Sequence, residues 1–253
     1  MINNNASTLS RKFSYENKFL LEKLKLNRIK TIAFDADDTL WINETFFRDA
    51  EDQFCALLED YLPYEECHKR LFEMEMRNLP LYGYGIKPFG LSLIEAAIEI
   101  TEGEVSIETI QELIAMAKAM LAAPVQLIDG IEGVLEQLSQ KHKLVVATKG
   151  DLLDQERKLE KSGLAKYFHH IEVMSDKQPK NYLKLVKHLD IKPESFLMVG
   201  NSLKSDILPV LEIGGNAIHI PFHTTWVHEQ IDYEVVHDNF RAFDKVDDIL
   251  KIL

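Results

Sequence analysis

The sequence predicts an α/β fold, a doubly wound parallel sheet with helices on both faces, interrupted after its first strand by an all-helical segment. Two observations predict it. Past residue 124, short apolar runs alternate with longer segments whose apolar residues recur at three and four residue spacing, and this alternation is typical of strands joined by covering helices. Between residues 44 and 121, only the helical spacing occurs.

The amino-acid composition indicates a globular protein. The 253 residues are 46% hydrophobic and 28% charged, which is ordinary for a globular protein with a sizeable core. No apolar stretch approaches the roughly 18 residues that span a bilayer. The first 17 residues are polar and contain no apolar signal core. We therefore expect a cytoplasmic protein without a membrane partner.

Charge narrows the choice of partners. The formal net charge is −12, so there is no broad basic surface and nucleic acid is not an expected partner. A small anion can still bind where a metal ion and one or two lysines reverse the local field. The two cysteines, Cys55 and Cys67, lie in predicted helices and are expected to be reduced packing thiols. The sequence identifies no protein partner.

The N-terminal half predicts one strand among helices. A helix is predicted at residues 15–26, and the apolar run at 31–34 predicts a short buried strand that ends at Asp35. Four further helices are predicted from the spacing of apolar residues, at residues 46–62, 64–79, 91–100 and 107–121. Prolines, among them Pro80 and Pro88, and glycines are expected to separate them.

The C-terminal half predicts alternating helices and strands. Helices are predicted at residues 131–140, 151–163, 179–189 and 202–214, and strands at 143–148, 170–174, 195–200 and 216–220. Such alternation is typical of a parallel sheet buried on both faces. The expected organisation is an N-terminal polar stretch and helix at residues 1–27, an α/β core at 28–43 and 125–253, and a helical cap at 44–124.

Polar side chains follow four predicted strands at the point where each ends. They are Asp35, Asp37 and Asp38 after the first, Thr148 and Lys149 after the second, Asp176 and Lys177 after the third, and Asn201, Ser202 and Asp206 after the fourth. Ligands of open parallel sheets bind beyond the carboxyl ends of the strands. We therefore expect a functional site there.

The acidic pair after the first strand predicts a metal site. Asp35 and Asp37 are two residues apart, so in an extended segment both side chains project to one side. Two close carboxylates cannot both be ionised at low cost without a cation. Oxygen ligands without His or Cys favour Mg²⁺. Asp38 is instead expected to be a turn or capping carboxylate.

An acid pair, a hydroxyl, a lysine and a second oxygen-rich turn, in that order, are the groups that phosphoryl transfer needs. With this order, and with FDADDTLW at residues 34–41, the chain resembles the haloacid dehalogenase (HAD) superfamily over residues 28–42 and 126–220. The helical segment resembles the cap that this superfamily places between its first and second motifs. The resemblance implies a Rossmann-like core and a hydrolase that uses Mg²⁺ and an aspartyl phosphate.

The resemblance also implies roles for single residues. Asp35 is similar to the nucleophile, and Asp37 to the general acid and base, whose main-chain carbonyl also reaches the metal. Thr148 matches the hydroxyl that holds a phosphoryl oxygen, and Lys149 beside it is expected to bind substrate.

The lysine of the third motif has two candidates. Lys177 lies just before the predicted helix start at Pro179, and we prefer it for neutralising the phosphate. Lys180 is the alternative.

The fourth motif departs from the superfamily's pattern. Asn201 stands where related phosphatases carry an aspartate that binds the metal, and Asp206 follows five residues later. An amide supplies a carbonyl oxygen without charge, so Mg²⁺ should bind less tightly unless Asp206 approaches it. The predicted metal ligands are Asp35, Asp37, Asn201 and Asp206.

The resulting hypothesis is a Mg²⁺-dependent phosphatase that acts on a small phosphorylated metabolite, with the cap closing over the site. Asp37 favours this over dehalogenation, because an alkoxide needs a proton on leaving and a halide does not. Alternatives are a phosphonatase, a phosphomutase or a dehalogenase, and a non-catalytic phosphate-binding protein in view of Asn201. A receiver-like signalling domain fits poorly, since VVATKG offers no acceptor aspartate. Tyr84 and Lys87 are expected to lie in a plain loop.

Overall fold

One parallel sheet organises the molecule. The structure is a computed structural model that describes residues 28–253, and the helix predicted at 15–26 lies outside the described residues. The sheet has six strands in the order β3-β2-β1-β4-β5-β6, all parallel. The strands are β1 (Thr31–Phe34), β2 (Lys143–Lys149), β3 (His170–Met174), β4 (Phe196–Gly200), β5 (Asn216–His219) and β6 (Phe240–Ala242).

The predicted α/β fold is confirmed. The central strands β1 and β4 are buried along their whole length, as expected where helices cover both faces of a parallel sheet. The strand order reverses between them, so the crevice that binds ligands in such sheets lies beyond their carboxyl ends. Phe34, the last residue of β1, pairs with Val199 of β4 and Val146 of β2, which places the segments after these three strands side by side.

Eight α-helices lie within residues 28–253. They are α1 (Glu44–Leu57), α2 (Tyr64–Tyr82), α3 (Ile86–Ile100), α4 (Ile107–Ala122), α5 (Ile131–Ser139), α6 (Leu152–Lys161), α7 (Pro179–His188) and α8 (Leu208–Glu212). Helices α1 to α4, here called the helical insert, bury a hydrophobic cluster of their own that includes Phe54, Leu71, Leu93 and Leu113. Cys55 and Cys67 are buried in this cluster as free thiols. None of the helices described has the length and apolarity that crossing a membrane requires.

Some predicted element bounds were wrong in detail, and one strand was missed. Helix α3 begins at Ile86, not at residue 91, because Pro88 falls in its first turn, where no intrahelical N–H bond is lost. Lys87 is therefore helical. Pro80 lies inside α2, two residues before its end, and so does not end the helix. The strand β6 was missed, since its three residues are only partly buried or exposed and carry little apolar signal.

The helix predicted at 202–214 is also irregular. A π-helical turn spans Leu203–Ile207, and a regular α8 begins only afterwards. Pro209 has no N–H to donate to the carbonyl of Ser205, four residues earlier. The hydroxyl of Tyr182 donates to that carbonyl instead, at 3.0 Å. Such turns often occur at functional sites.

Candidate active site

A buried ion triad lies beyond the ends of β1 and β4. Lys177 Nζ is 2.5 Å from Asp35 Oδ1 and 2.6 Å from Asp206 Oδ1. Lys177 is 3% exposed and Asp206 is fully buried. Asp35 is held by its main chain as well, since its N–H donates to the carbonyl of Val199 at 2.9 Å. The ammonium therefore bridges the carboxylates that follow two neighbouring strands.

Burial and the charges of the three groups shift the pKa values of this triad in opposing directions. Burial and the neighbouring Asp206 carboxylate raise the pKa of Asp35 to about 7, although Lys177 opposes the shift. Burial alone would lower the pKa of Lys177, but Asp206 and Asp35 outweigh it and hold that pKa above its ordinary value. Lys177 is thus a permanent cation beside Asp35.

Asp206 comes close to the main chain of the fourth strand. Its Oδ2 accepts a hydrogen bond from the N–H of Ser202 at 3.0 Å. A β-carbon on Gly200 would lie 2.2 Å from the same oxygen, so only glycine fits at the end of β4. With Oδ1 on Lys177 and Oδ2 on Ser202, both oxygens of Asp206 have protein partners.

The carboxylate of Asp37 is held by three donors. Trp41 Nε1 donates to Oδ1 at 2.8 Å, and Lys158 Nζ donates to the same oxygen at 3.0 Å. Gln155 Nε2 donates to Oδ2 at 2.8 Å. Asp38 has a different role, since its carboxylate accepts from the N–H groups of Asn43 and Glu44 at the start of α1. The capping role predicted for Asp38 is confirmed.

The segment after β2 supplies a hydroxyl and a second ammonium. Thr148 is buried, and its Oγ1 donates to the carbonyl of Lys149 at 3.1 Å. Lys149 Nζ contacts Ser205 Oγ at 3.0 Å, makes an ion pair with Glu229, and lies 4.1 Å from the centre of the Tyr84 ring.

Glu229 links three segments. Its carboxylate accepts from the hydroxyls of Ser202 and Ser205 at 2.5 and 2.6 Å, in addition to its ion pair with Lys149. Burial would raise the pKa of Glu229, but the Lys149 charge and these hydrogen bonds lower it to about 2. The carboxylate is therefore ionised at neutral pH and holds the loop that carries Ser202.

One cavity of about 190 Å³ joins these groups. All seven site residues predicted from the sequence line it: Asp35, Asp37, Thr148, Lys149, Lys177, Asn201 and Asp206. Lys180, the alternative to Lys177, is exposed on α7 and does not line the cavity. Tyr84 lies in the loop between α2 and α3, as expected, and that loop lines the cavity.

Comparison with known proteins identifies the family. A family model described as haloacid dehalogenase-like hydrolase matches residues 29–214. The chain belongs to the haloacid dehalogenase-like hydrolases. The family resemblance and the hydrolase class predicted from the sequence are thereby confirmed.

Individual relatives of this hydrolase include phosphatases. The N-acylneuraminate-9-phosphatase of Homo sapiens is 24% identical over 215 residues, covering 81% of this chain and 84% of the relative. A haloacid dehalogenase-like family hydrolase from Xanthomonas campestris is 36% identical with a TM-score of 0.78, covering 88% of this chain and 91% of that one. A 2-haloacid dehalogenase from Pseudomonas syringae pv. Tomato DC3000, 20% identical with a TM-score of 0.60, covers 88% of this chain and 97% of that one and shares the fold alone.

Several residues of this HAD hydrolase's site were not predicted from the sequence. Gln155 and Lys158 contact Asp37 from α6, and their spacing of three residues, which puts them on one helix face, was an available signal. Glu229 was not predicted, because it lies in an irregular segment after β5 that shows neither a helical nor a strand pattern of apolar residues. The cavity's other wall consists of residues of the helical insert, which the sequence pattern identified only as amphipathic helices.

The oxygen groups of the site fit a magnesium ion. Asp35 Oδ1 is held by Lys177, which leaves Oδ2 for a cation, and Asn201 lines the same cavity with an amide oxygen. Within residues 28–253, no three His, Cys, Asp or Glu side chains are arranged to hold a metal. The carboxylates of Asp37 and Asp206 accept hydrogen bonds from protein donors. The available set is therefore one carboxylate with neutral oxygens, which suits Mg²⁺ more than a softer metal.

Proposed function

We propose that this protein is a Mg²⁺-dependent phosphatase that hydrolyses a small phosphorylated metabolite through an aspartyl-phosphate intermediate. The observation that supports it best is the buried contact of 2.5 Å between Lys177 Nζ and Asp35 Oδ1. It orients the Asp35 carboxylate in a cavity that Asp37 and Thr148 also line. A carboxylate with a fixed cation beside it is equipped to attack a dianionic phosphate.

In the first step, an Asp35 oxygen attacks phosphorus, and the bond from phosphorus to the ester oxygen breaks. Asp37 gives its proton to the departing alkoxide, so that the product leaves as an alcohol. Lys177 and Lys149 offset the charge of the phosphoryl oxygens, and Thr148 donates a hydrogen bond to one of them.

In the second step, water attacks the phosphorus of the aspartyl phosphate. Asp37 takes the proton of that water, the bond from phosphorus to the Asp35 oxygen breaks, and inorganic phosphate leaves. Gln155 and Lys158 orient Asp37 for both transfers. Asp206 acts through Lys177, which it holds in place.

Magnesium would be held by Asp35, the main-chain carbonyl of Asp37 and the amide oxygen of Asn201, with Asp206 nearby. When bound, it supplies additional positive charge to the phosphate oxygens. The helical insert covers the site and would exclude bulk water, as lids commonly do.

A phosphonatase is a weaker candidate. That chemistry needs a lysine amine from the cap to form an imine with the substrate. The lysines that line the cavity, Lys149 and Lys177, both belong to segments after sheet strands, and Lys87 of the insert pairs with Asp151 instead. Borohydride trapping in the presence of a phosphonate should therefore leave the insert unlabelled.

The assigned nucleophile has a direct test. Asp35→Asn should lower kcat on a phosphate monoester at least about a thousandfold, because an amide oxygen cannot form the acyl phosphate. The measurement is phosphate release by wild type and variant, with circular dichroism to verify folding. Turnover near the wild-type rate would contradict the role of Asp35.

A panel of phosphate esters, run with and without Mg²⁺, separates the enzyme from a phosphate-binding protein. We expect hydrolysis that Mg²⁺ stimulates and EDTA removes. Hydrolysis of no ester in either condition would favour the non-catalytic alternative that Asn201 raises.

A further inference from the structure

The cavity has a second wall that is acidic. Glu44 and Glu51 of α1 and Glu75 and Asn78 of α2 line it, and we call these four residues the acidic wall. No lysine or arginine of the helical insert is among the described residues that line the cavity. The lysines of the cavity, Lys149 and Lys177, thus lie on the core side, and the helical insert contributes carboxyl groups without a cation among the lining residues.

One guanidinium faces three carboxylates at this wall. Arg48 lies 3.1 Å from Glu44 Oε1 and 2.9 Å from Glu51 Oε2. His68 Nε2 is 2.9 Å from the same Glu51 oxygen. Glu75 Oε1 has no hydrogen-bond partner among the described residues, although Trp226 donates to the Glu75 carboxyl group. The three carboxyl groups of the wall thus share one guanidinium in a confined space.

Two buried carboxyl oxygens of the wall have no hydrogen-bond donor among the described residues. They are Glu44 Oε1, which makes an ion pair with Arg48, and Glu75 Oε1. Glu51 and Asn78 are 4% and 6% exposed and hydrogen-bond to Arg48 and Ser92. Buried acceptors are normally paired, so a ligand that donates hydrogen bonds would satisfy this end of the cavity.

Aromatic rings flank these acceptors. Phe47 and Phe89, whose ring centres are 5.0 Å apart, and Trp226 line the cavity with them. Aromatic faces attract cations. Burial and repulsion from Glu51 and Glu44 raise the pKa of Glu75 to about 8, a cost that a bound cation would remove.

We propose that the acidic wall is a subsite for a protonated amine on the leaving alcohol, so that the substrate is an amino-alcohol or amino-sugar phosphate. This inference rests on the proposed phosphatase function. Lys149 and Lys177 then bind the phosphate end of the substrate, and the carboxyl groups of the acidic wall bind its ammonium end. A cavity of about 190 Å³ is smaller than the ~300–1,000 Å³ of drug-sized sites, which suits a short amine.

A matched substrate series tests the charge preference. Phosphate monoesters with chains of about two to six carbons, each ending in an ammonium, a hydroxyl or a carboxylate, are compared by kcat/KM, together with glucosamine 6-phosphate and glucose 6-phosphate. We expect the best amine to exceed its hydroxyl counterpart about tenfold or more, and the carboxylate to be poorest.

Charge-removing variants test the assignment to the wall. Glu51→Gln and Glu75→Gln should each lower the amine-to-hydroxyl ratio of kcat/KM about tenfold. Glu73→Gln, at an exposed site on the same α2 that does not line the cavity, should leave the ratio unchanged. Thermal unfolding verifies that each variant is folded. If Glu51→Gln does not fold, Glu75→Gln alone tests the assignment.

The outcomes separate the two proposals. Hydrolysis in which hydroxyl or carboxylate esters equal the amines overturns the amine subsite and leaves the phosphatase standing. An amine preference that survives both wall variants also overturns the assignment. Absence of hydrolysis across the series and with p-nitrophenyl phosphate overturns the phosphatase itself, and the inference with it.

Discussion

Gly200 shows how closely the site's residues approach one another. A methyl group there would lie 2.2 Å from Asp206 Oδ2 and 2.6 Å from Asp206 Cβ. Asp206 cannot move aside cheaply, because Lys177 and the N–H of Ser202 hold its two oxygens. The glycine therefore permits the triad that orients Asp35.

Gly200→Ala should destabilise the protein by about 1–3 kcal/mol, as overpacking does. Urea denaturation measures the free energy of unfolding. The matched control is Gly133→Ala in α5, where the new carbon meets open space and should stabilise by about 0.5–1 kcal/mol. Equal stability of Gly200→Ala and wild type would show that the contact with Asp206 is not tight.

Asn201 sets the charge of the proposed metal site. Its Oδ1 accepts from Thr39 Oγ1 at 3.3 Å, and its main-chain carbonyl contacts His219 Nε2 at 2.9 Å. The side chain is thus held at the cavity by its neighbours, with a neutral oxygen where a carboxylate would add charge.

Asn201→Asp should tighten Mg²⁺ binding about tenfold or more, because a second carboxylate would share the cation with Asp35. Isothermal titration of Mg²⁺ into wild type and variant measures this without reference to activity. An unchanged Kd would place the metal, or its strongest ligands, elsewhere.

Helix α6 positions the proposed acid and base. It begins at Leu152, directly after β2 and the turn at Gly150, and Asp151 caps it by accepting from the N–H of Asp154. Gln155 and Lys158 project from one face of α6 to Asp37. Lys158 also donates to Asn43 at 2.8 Å, which links α6 to the start of α1.

Lys158→Met should lower kcat on alkyl phosphates about tenfold or more, because Asp37 loses one of its orienting donors. The loss on p-nitrophenyl phosphate should be smaller, since that leaving group needs little protonation. The comparison of the two substrates distinguishes positioning from a general structural defect. The matched control is Lys161→Met, at an exposed position of α6. Equal losses on both substrates would argue against a positioning role.

In the molecule as a whole, the helical insert lies against the core and encloses the cavity. Lys87 of α3 is 2.7 Å from Asp151, and the Tyr84 hydroxyl is 3.5 Å from Asp176. Together with Lys149, whose Nζ lies 4.1 Å from the centre of the Tyr84 ring, these contacts join the insert to the core in a closed arrangement. Burial of the acidic wall follows from it.

That burial makes stability depend on pH through Glu75. Its pKa in the folded protein is about 8, against about 4.3 for an unperturbed glutamate. The charged groups that face it are Glu51, Glu44 and Arg48 of α1, and Trp226 donates to it. Between these two pKa values the unfolded chain releases a proton that the folded protein keeps, so stability falls as pH rises.

Glu75→Gln should therefore raise the melting temperature more at pH 8 than at pH 5, because glutamine cannot ionise. Calorimetry at both pH values measures the difference from wild type, and Glu73→Gln, at an exposed site of α2, should show no such trend. The same shift at both pH values would show that Glu75 is not buried with a raised pKa.

Much of the fold and of the candidate site was predictable from the sequence. The alternation of apolar runs and amphipathic helices predicted the parallel sheet, because burial on both faces dictates that pattern. The strand ends then indicated Asp35, Asp37, Thr148 and Lys177, since a parallel sheet gathers its carboxyl ends at one edge. Local irregularities were not predictable: the turn before α8 depends on Tyr182, which is remote in sequence, reaching the carbonyl of Ser205.

The sequence by itself determined the fold, the family and the set of groups at the strand ends, because these follow from periodicity and from short contiguous motifs. Only the tertiary structure decided which carboxylate oxygens are occupied, that Gln155 and Lys158 hold Asp37, and that Glu51 and Glu75 share a cavity with Asp35. Those contacts join residues from separate helices and loops. Their distances and burial arise from packing, which no local pattern in the chain encodes.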